Sequence, residues 1–329
     1  TDNVDFQKKF LYALIMDLLS KTSVGYGMNI TALSDIQRGY TFVSNHRDIV
    51  LDAAFLDIFL IEKGFPTTVE IAIGDNLLIT PWIETLVRLN KSFIVKRSVG
   101  VREMLESSRL MSRYMHFAIR QKHENIWIAQ REGRAKDSDD RTQESVLKMM
   151  AMGGEGTPIE SLKELNIVPL TISYEYDPCD YLKAQEFQLK RDVPEFKKTQ
   201  ADDLKNMQTG IFGYKGQIHY EAAPCINVWI DELKDLPKNR FFGELARRMD
   251  IEIHSRYHLY SNNYIAADML DATSRFSDKY TPEEHNNFEE YLNQRLALIQ
   301  LPGKDEAFLR ERILVMYANP LRNYINATV

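Results

Sequence analysis

The sequence has few cysteines, no long apolar run and no excess of basic residues. Only Cys179 and Cys225 occur among 329 residues, with no CxxC or metal-type spacing, so a disulfide framework is excluded and a reducing, cytoplasmic setting is expected. The apolar run FLYALIMDLL carries Asp17 and has about half the length needed to cross a bilayer. Lys and Arg total 41 against 47 Asp and Glu, a net charge of -6, which argues against nucleic acid as a partner.

Short β-branched and aromatic runs alternate with longer helical patterns through most of the chain. YTFVSN, TTVEIAI, SFIVKR, NIWIAQ and NIVPLTISYEY have strand character, whereas residues 101–121 have helical periodicity. This alternation is typical of βαβ units. We therefore expect an α/β fold, with a central, mostly parallel or mixed sheet flanked by helices. A last strand-like run at residues 216–224 precedes an almost entirely helical C-terminal region.

The chain has no linker of low complexity and no internal repeat that would mark a domain boundary. We predict an N-terminal helical segment at residues 1–38, an α/β core at residues 39–225, and a helical cap at residues 226–329 that belongs to the same domain.

The N-terminal helical pattern has one apolar face, formed by Phe6, Phe10, Leu14, Ile15 and Leu18. Such a face predicts packing against the core. The alternative is that it lies in the interface of a membrane.

In NHRDIVLD, residues 45–52, a histidine stands where a predicted strand gives way to a predicted helix. His46 could act as a general base if an aspartate, Asp52 or Asp48, fixed its tautomer and stabilised the imidazolium. Because no serine or cysteine lies in a nucleophile-elbow sequence, the pair is expected to activate a hydroxyl of a substrate. A lone His and Asp of this kind are also common as an ordinary polar contact.

Two further stretches place basic residues directly after predicted strands. SFIVKR ends in Lys96 and Arg97, and IAQREGRAK contains Arg134 and Lys136 beside Gly133. The carboxyl ends of parallel strands meet at one edge of a sheet, guanidinium groups match phosphate oxygens, and a glycine permits close approach of a ligand. The alternative is a solvated loop whose basic residues pair with neighbouring aspartates.

These blocks, in this order, resemble the glycerolipid acyltransferases, particularly the glycerol-3-phosphate acyltransferases. NHRDIVLD resembles the family's His-x4-Asp block with one extra residue, SFIVKR the G-x-F-F-I-R-R block, REGRAK the Glu-Gly-x-Arg-Ser block without its serine, and IVPLTISYE the proline-containing block. GDNLL at residues 74–78 resembles the G-x-N-L segment that precedes the second block. The extra residue leaves two candidate partners for His46, and Asp52 is favoured over Asp48 because LDAAFL continues as the family's helix does after its aspartate.

The resemblance implies an O-acyltransferase of phospholipid biosynthesis. A fatty acyl group would move from an acyl thioester, acyl-CoA or acyl-ACP, to a hydroxyl of glycerol 3-phosphate, with His46 as the general base. The residues implied to bind the acceptor phosphate are Lys96, Arg97, Arg134 and Lys136. Those implied to shape the pocket are Glu132, Gly133 and Pro169.

The resemblance also implies a peripheral enzyme on the cytoplasmic face of a membrane, with acyl carrier protein as a further partner if it carries the donor, and with no tightly bound cofactor. No metal is expected, because His254 and His258 lack a third ligand and are predicted to be a surface pair. Lysophosphatidate, another lysophospholipid or an aminolipid hydroxyl remain alternative acceptors. From other classes, a hydrolase and a non-catalytic lipid-binding protein remain open, although an intact His46 and the clustered basic residues count against the latter.

Overall fold

A computed structural model describes residues 7–74, 91–95 and 101–329, and within them lies one seven-stranded sheet. The strands are β1 (Ser23–Asn29), β2 (Thr41–Ser44), β3 (Val69–Gly74), β4 (Ser92–Val95), β5 (Asn125–Ala129), β6 (Ile167–Tyr174) and β7 (Gly216–Ala222). Their order is β1-β7-β6-β2-β5-β3-β4. Neighbouring strands are parallel except for β6 and β7, which are antiparallel.

Helices cover both faces of the sheet and form the C-terminal region. In the described residues they are α1 (Tyr12–Thr22), α2 (Leu51–Glu62), α3 (Val101–Arg120), α4 (Glu144–Met150), α5 (Pro158–Glu164), α6 (Asp180–Asp192), α7 (Gln200–Phe212), α8 (Lys238–His254), α9 (Ser261–Asp271), α10 (Pro282–Ala297) and α11 (Glu306–Thr328). A π-helical turn (Gln7–Leu11) precedes α1, and short 3-10 turns lie at Ile226–Val228, Ile230–Leu233 and Ser277–Lys279.

Alternate residues of each central strand pack against opposite helical layers. Phe42 and Trp127 contribute to a buried cluster with α1 and α2, whereas Val43 and Ile128 belong to a second cluster with α3, α4, α5 and α8. Since both faces are covered, these strands read as nearly continuous apolar runs in the sequence. The predicted α/β fold with a mostly parallel, mixed sheet is confirmed.

The C-terminal helices form a third buried cluster with α6, built on side chains such as Phe288 and Leu309. The buried carboxylate of Asp180, at the start of α6, accepts hydrogen bonds from Tyr291 (2.6 Å) and Tyr317 (3.0 Å) and pairs with Arg295. Such a buried carboxylate is stable only when it is paired and hydrogen-bonded. The helical C-terminal region is therefore attached to the core by polar as well as apolar contacts, while its division from the core at residue 226 stays a prediction.

Residues 1–38, predicted to be a helical segment, are only partly helical. They include β1, which pairs with β7 at the edge of the sheet. The sequence SVGYGMN did not indicate a strand, because Gly25 and Gly27 have low strand propensity.

The N-terminal apolar face is also divided between core and surface. Ile15 is buried in the first cluster and the partly buried Leu18 packs against it, whereas Phe10 and Leu14 are exposed, and Phe6 lies outside the described residues. None of the helices in the described ranges combines the length and apolar character required to cross a membrane.

Asp57 of α2 makes the stability of the fold depend on pH. Its fully buried carboxyl accepts a hydrogen bond from the backbone N–H of Val69 (2.9 Å), and burial raises its pKa to about 8. The same carboxyl in the unfolded chain loses its proton near pH 4, so between about pH 4 and pH 8 the native state binds more protons than the unfolded state. The free energy of unfolding therefore falls as pH rises through this range. We expect Asp57→Asn to be more stable than the wild type at pH 8, with a gain that shrinks toward pH 4.

Urea unfolding at several pH values measures this difference, with the exposed Asp17→Asn on α1 as the matched control. Parallel stability curves for Asp57→Asn and the wild type would contradict the assignment.

Candidate active site

The carboxyl ends of β2, β5 and β6 meet at one edge of the sheet, called here the carboxyl edge. These three strands are adjacent and parallel, with β2 in the middle. His46 lies two residues after β2, the loop of residues 130–143 follows β5, and residues 175–179 follow β6. The topology therefore brings three of the predicted sequence blocks to the same edge, where ligands bind in open parallel sheets.

Asn45 fixes the end of β2 and so determines where His46 lies. Its amide donates to the carbonyl of Ile172 (2.9 Å) and accepts from the N–H of Ile172 (2.8 Å). A side chain thus takes the place of the next strand residue, which lets the main chain leave the sheet at His46 without leaving β6 unpaired. The sequence analysis missed this role, although the signal was the asparagine that immediately precedes the histidine.

His46 and Asp52 form a close pair, with 2.8 Å between Nδ1 of the ring and Oδ2 of the carboxylate. The ring lies edge-on to Trp127 at 5.4 Å between centroids, and its side chain is 13% exposed. Because a carboxylate only accepts hydrogen bonds, Nδ1 carries the proton of the neutral ring. Nε2 is then the nitrogen that can accept a proton.

Asp52 is held by donors from several elements. Its Oδ2 also accepts the backbone N–H groups of Arg47 (2.7 Å) and Asp48 (3.0 Å), and its Oδ1 accepts the hydroxyl of Tyr174 (2.9 Å). The turn at residues 49–50 accommodates the extra residue of the first block before α2 begins. The carboxylate is therefore fixed in position independently of His46.

Asp48, the alternative partner, has a different position. Its Oδ1 accepts the backbone N–H groups of Val50 and Leu51, both at 2.8 Å, so it caps the turn that leads into α2. Burial raises the pKa of this carboxyl, and the neighbouring Asp52 raises it further. The structure pairs His46 with Asp52 and not with Asp48.

Arg134 lies buried at the carboxyl edge, with one nitrogen unpaired. Its Nη2 donates to the amide oxygen of Asn206 (3.2 Å), whereas the buried Nη1 has no partner among the described residues. Burial acts to lower the pKa of the guanidinium, but Cys179, Asp48 and Asp177 outweigh it and raise the pKa. The cation is thus stabilised by neighbouring groups and keeps one N–H that can be donated.

Lys136 is committed to an ion pair with Glu186 of α6, at 3.0 Å. Burial lowers its pKa to about 8, and the nearby cation of Arg134 contributes in the same direction. Lys96 and Arg97 lie outside the described residues, as does most of the GDNLL segment. The convergence of these basic residues with Arg134 on one phosphate therefore stays a prediction.

The residues predicted to shape the pocket lie in three different settings. Glu132 is exposed, while its backbone N–H donates to Gln143 (2.9 Å). Gly133 has φ 67°, a left-handed conformation that favours glycine, and an added Cβ would meet nothing within 4 Å. Pro169 is the third residue of β6 and directly precedes Leu170, the first residue that β6 pairs with β7; its carbonyl accepts the N–H of Ala223 (2.9 Å), and it has no N–H of its own to donate.

A second buried ion pair, Arg47–Asp140, lies near the His46–Asp52 pair. Arg47 lies 3.7 Å from the carboxylate of Asp140, and it also lines a cavity together with Tyr174, Asp177 and Tyr257. Burial raises the pKa of Asp140, and the cation of Arg47 opposes this rise. These residues make the floor of the carboxyl edge polar and charged, a feature that single-residue patterns in the sequence did not indicate.

The prediction of a surface pair at His254 and His258 is wrong. His254 is the last residue of α8 and is buried, with Nε2 donating to the carbonyl of Asp140 (2.8 Å), and His258 lies beyond the helix. Burial lowers the pKa of His254 to about 4. Among the residues that the structure describes, no cluster of three or more His, Cys, Asp or Glu side chains could hold a metal ion.

Another histidine has an arrangement that resembles a hydrolytic triad. Nδ1 of His116 lies 2.9 Å from Glu164, and Ser161 Oγ lies 3.4 Å from Nε2. However, Nε2 also faces the carbonyl of Met150 at 3.2 Å and must donate to it, and the serine hydroxyl donates to the carbonyl of Ala151. Because both Nε2 and the hydroxyl are engaged in buried structural hydrogen bonds, this cluster offers neither a base nor a free nucleophile.

Comparisons with known proteins identify a family for part of the chain. A family model described as Acyltransferase matches residues 27–173, a range that includes His46, Asp52, Arg134 and Pro169. No curated protein sequence matches the chain. Among solved structures, the chain is similar to the 1-acyl-sn-glycerophosphate (LPA) acyltransferase PlsC from Thermotoga maritima, with a TM-score of 0.40 and 11% identity over 74% of this chain and 77% of that chain.

Proposed function

We propose, from the premise that residues 27–173 belong to the acyltransferase family, that this protein transfers a fatty acyl group from an acyl thioester to a hydroxyl of glycerol 3-phosphate. The resemblance to acyltransferases found in the sequence is confirmed at the level of the family, and the donor, the acceptor and the residue roles are the proposal. The observation that carries it is the His46–Asp52 pair at the carboxyl edge, within the matched residues and with Nε2 left as the base.

The reaction moves one proton from the acceptor hydroxyl to the leaving thiol in two transfers, and it exchanges a C–S bond for a C–O bond at the carbonyl carbon. Nε2 of His46 takes the proton of the acceptor hydroxyl while the oxygen attacks the thioester carbonyl carbon. The new C–O ester bond forms, the C–S bond breaks, and the thiol of the donor leaves with the proton returned by the imidazolium. Asp52 stabilises the imidazolium between these steps, and no acyl-enzyme forms. This chemistry serves acyl-CoA and acyl-ACP equally.

The acceptor phosphate would be bound by Arg134 together with Lys96, Arg97 and Lys136. The unpartnered Nη1 of Arg134 supports this, because a buried guanidinium N–H without a partner is costly and a phosphate oxygen would satisfy it. Gly133 and Pro169 would shape the backbone around this site. A lysophospholipid such as lysophosphatidate carries the same phosphate group and would use the same residues.

A second acceptor class is favoured by a different observation. Asp48 and Asp177 already lie close enough to Arg134 to stabilise its charge, so the described part of the site has little excess positive charge for a dianion. An aminolipid hydroxyl, which brings no phosphate, is the alternative acceptor. The acceptor test below separates the two.

The first prediction concerns the base. Purified protein, incubated with a labelled acyl thioester and a panel of acceptors, should form an acylated glycerolipid, and His46→Ala should slow transfer by about 10²–10⁴-fold. Asp52→Asn should cost nearly as much, because an amide cannot accept all the N–H donors that surround it and cannot stabilise the imidazolium.

Asp48→Asn is the matched control, since an amide oxygen can still accept the N–H groups of Val50 and Leu51. It should retain most of the activity. Turnover by His46→Ala with native-like circular dichroism, or greater loss from Asp48→Asn than from Asp52→Asn, would refute the assigned roles. Release of free fatty acid with no acylated acceptor would indicate a hydrolase.

The second prediction concerns Arg134. Arg134→Lys keeps a counter-charge for Asp48 and Asp177, so the fold should be retained, but it loses the planar donor pair. We expect a several-fold rise in KM for glycerol 3-phosphate and for lysophosphatidate, with little change in KM for the thioester. Unchanged KM values for both phosphate acceptors would favour the aminolipid alternative.

We further propose that the protein docks on the cytoplasmic face of membranes, where its acylated product would dissolve. The exposed Phe10 and Leu14 near the N-terminus support this, since exposed apolar side chains on one short segment favour an interface. Phe10→Ser with Leu14→Ser should reduce co-sedimentation with anionic vesicles at least about tenfold. Leu298→Ser, at an exposed apolar site directly after α10, is the control and should have no effect. Wild-type protein that stays in the supernatant would contradict this proposal.

A further inference from the structure

The helices α6 and α7 stand over the carboxyl edge and have a groove between them. They connect β6 to β7, and because these strands are antiparallel, the connection both leaves from and returns to this edge. The groove is lined by Leu182, Glu186, Leu189, Phe196, Lys198 and Lys205. Asn206, which also lines it, accepts the hydrogen bond from Arg134 and so places the groove next to the site.

Lysine side chains converge on this groove around a single carboxylate. Glu186 pairs with Lys136 at 3.0 Å, with Lys190 at 2.9 Å and with Lys198 at 3.6 Å. Lys205 lines the groove and makes no ion pair within the described part of the chain. In a protein with a net charge of -6, such a local excess of cations indicates a site for an anion.

The nearby carboxylates do not cancel this charge. Asp203 pairs with Lys198 at 3.1 Å. Asp202 also lines the groove, and the backbone N–H and hydroxyl of Thr199, each at 2.8 Å, lower its pKa, so it keeps its negative charge. Burial lowers the pKa of Lys136 to about 8, and the neighbouring cations Arg134 and Lys198 also act to lower it, against Glu186. Four lysines, Lys136, Lys190, Lys198 and Lys205, thus face three carboxylates, Glu186, Asp202 and Asp203, which leaves one positive charge in excess.

We propose that this groove binds the phosphate of the acyl donor's 4′-phosphopantetheine arm, with Lys198 and Lys205 as its ligands. The inference rests on the proposed function and adds the donor end of the reaction to it. Apolar side chains from α6 and Phe196 line the same groove and would pack on the gem-dimethyl part of the arm, and the thioester end would leave the groove on the side of Asn206, which contacts Arg134. Coenzyme A and acyl carrier protein present the same phosphate, so both donors would use the groove.

A series of donors with the same acyl group tests the proposal. Acyl-CoA contains the phosphopantetheine arm joined to a 3′-phospho-AMP group, whereas acyl-4′-phosphopantetheine and acyl-pantetheine differ only by the arm's phosphate. In Lys198→Ala/Lys205→Ala, we expect KM for the two phosphate-bearing donors to rise about tenfold, the loss expected from removing two partly exposed charge-assisted contacts. KM for acyl-pantetheine and for the acceptor should not change. Lys197→Ala, an exposed lysine that does not line the groove, is the matched control.

The opposite results are equally specific. Three outcomes would each refute the donor-phosphate site. These are equal changes in KM for acyl-CoA and acyl-pantetheine, no change in KM for any donor, or a rise in KM for the acceptor alone. Lys198→Arg/Lys205→Arg should restore most of the affinity, which separates lost charge from disturbed folding.

Calorimetry with free coenzyme A, phosphopantetheine and pantetheine gives a readout without turnover. The wild type should bind the first two and the double alanine variant should bind them about tenfold more weakly. Suppose that the wild type binds coenzyme A, that the double alanine variant binds it more weakly, and that no acceptor receives an acyl group. The proposed function then fails, while the groove assignment stands. If the wild type transfers acyl groups but the calorimetry shows no effect of the phosphate, the groove assignment fails alone.

Discussion

The carboxylate of Asp52 is the contact on which the geometry of the carboxyl edge depends. It accepts the ring N–H of His46, two backbone N–H groups of the turn before α2, and the hydroxyl of Tyr174 at the end of β6. The hydroxyl of Tyr220 on β7 donates in turn to the backbone carbonyl of Asp52 at 3.0 Å. Three strands and a helix are thus tied to one residue. The orientation of the imidazole follows from the packing of α2 against the sheet.

Around this pair the protein buries charges of both signs. Arg47, Arg134 and Lys183 lie close to Asp48, Asp140 and Asp177, and the ammonium of Lys183 contacts Asp177 directly. Burial opposes ionisation of Asp177, but its contact with Lys183 outweighs this and lowers its pKa. Since isolated buried ions are costly, the balance of charges is what allows a polar floor to exist there before any substrate binds. Such dipoles and charges need little rearrangement during a reaction.

The reversed direction of β7 has consequences beyond the sheet. A parallel β7 would have started at the opposite edge, and the chain after β6 would have crossed a face of the sheet to reach it. Because β7 runs antiparallel to β6, α6 and α7 remain above the carboxyl edge, where Asn206 contacts Arg134 and Gly210 leaves no room for a Cβ beside Asp48. These helices follow residue 173, where the family match ends. The part of the chain that matches the family model therefore holds His46 and Asp52, while α6 and α7, which lie over the carboxyl edge, come from residues outside that match.

Local patterns in the sequence determined the α/β class, most strands and the position of His46 at a strand end, because hydrophobic periodicity and strand-end motifs are properties of neighbouring residues. They could not reveal β1, whose glycines weaken its strand pattern, or the burial of His254, because burial depends on segments far apart in the chain. The choice of Asp52 over Asp48 was favoured by the sequence but decided by tertiary structure, in which the turn before α2 directs one carboxylate to the imidazole and the other to backbone N–H groups. The same holds for Arg134: its type and motif are visible in the sequence, whereas its charged neighbours come from β6, α6 and the turn after β2, and only folding brings these together.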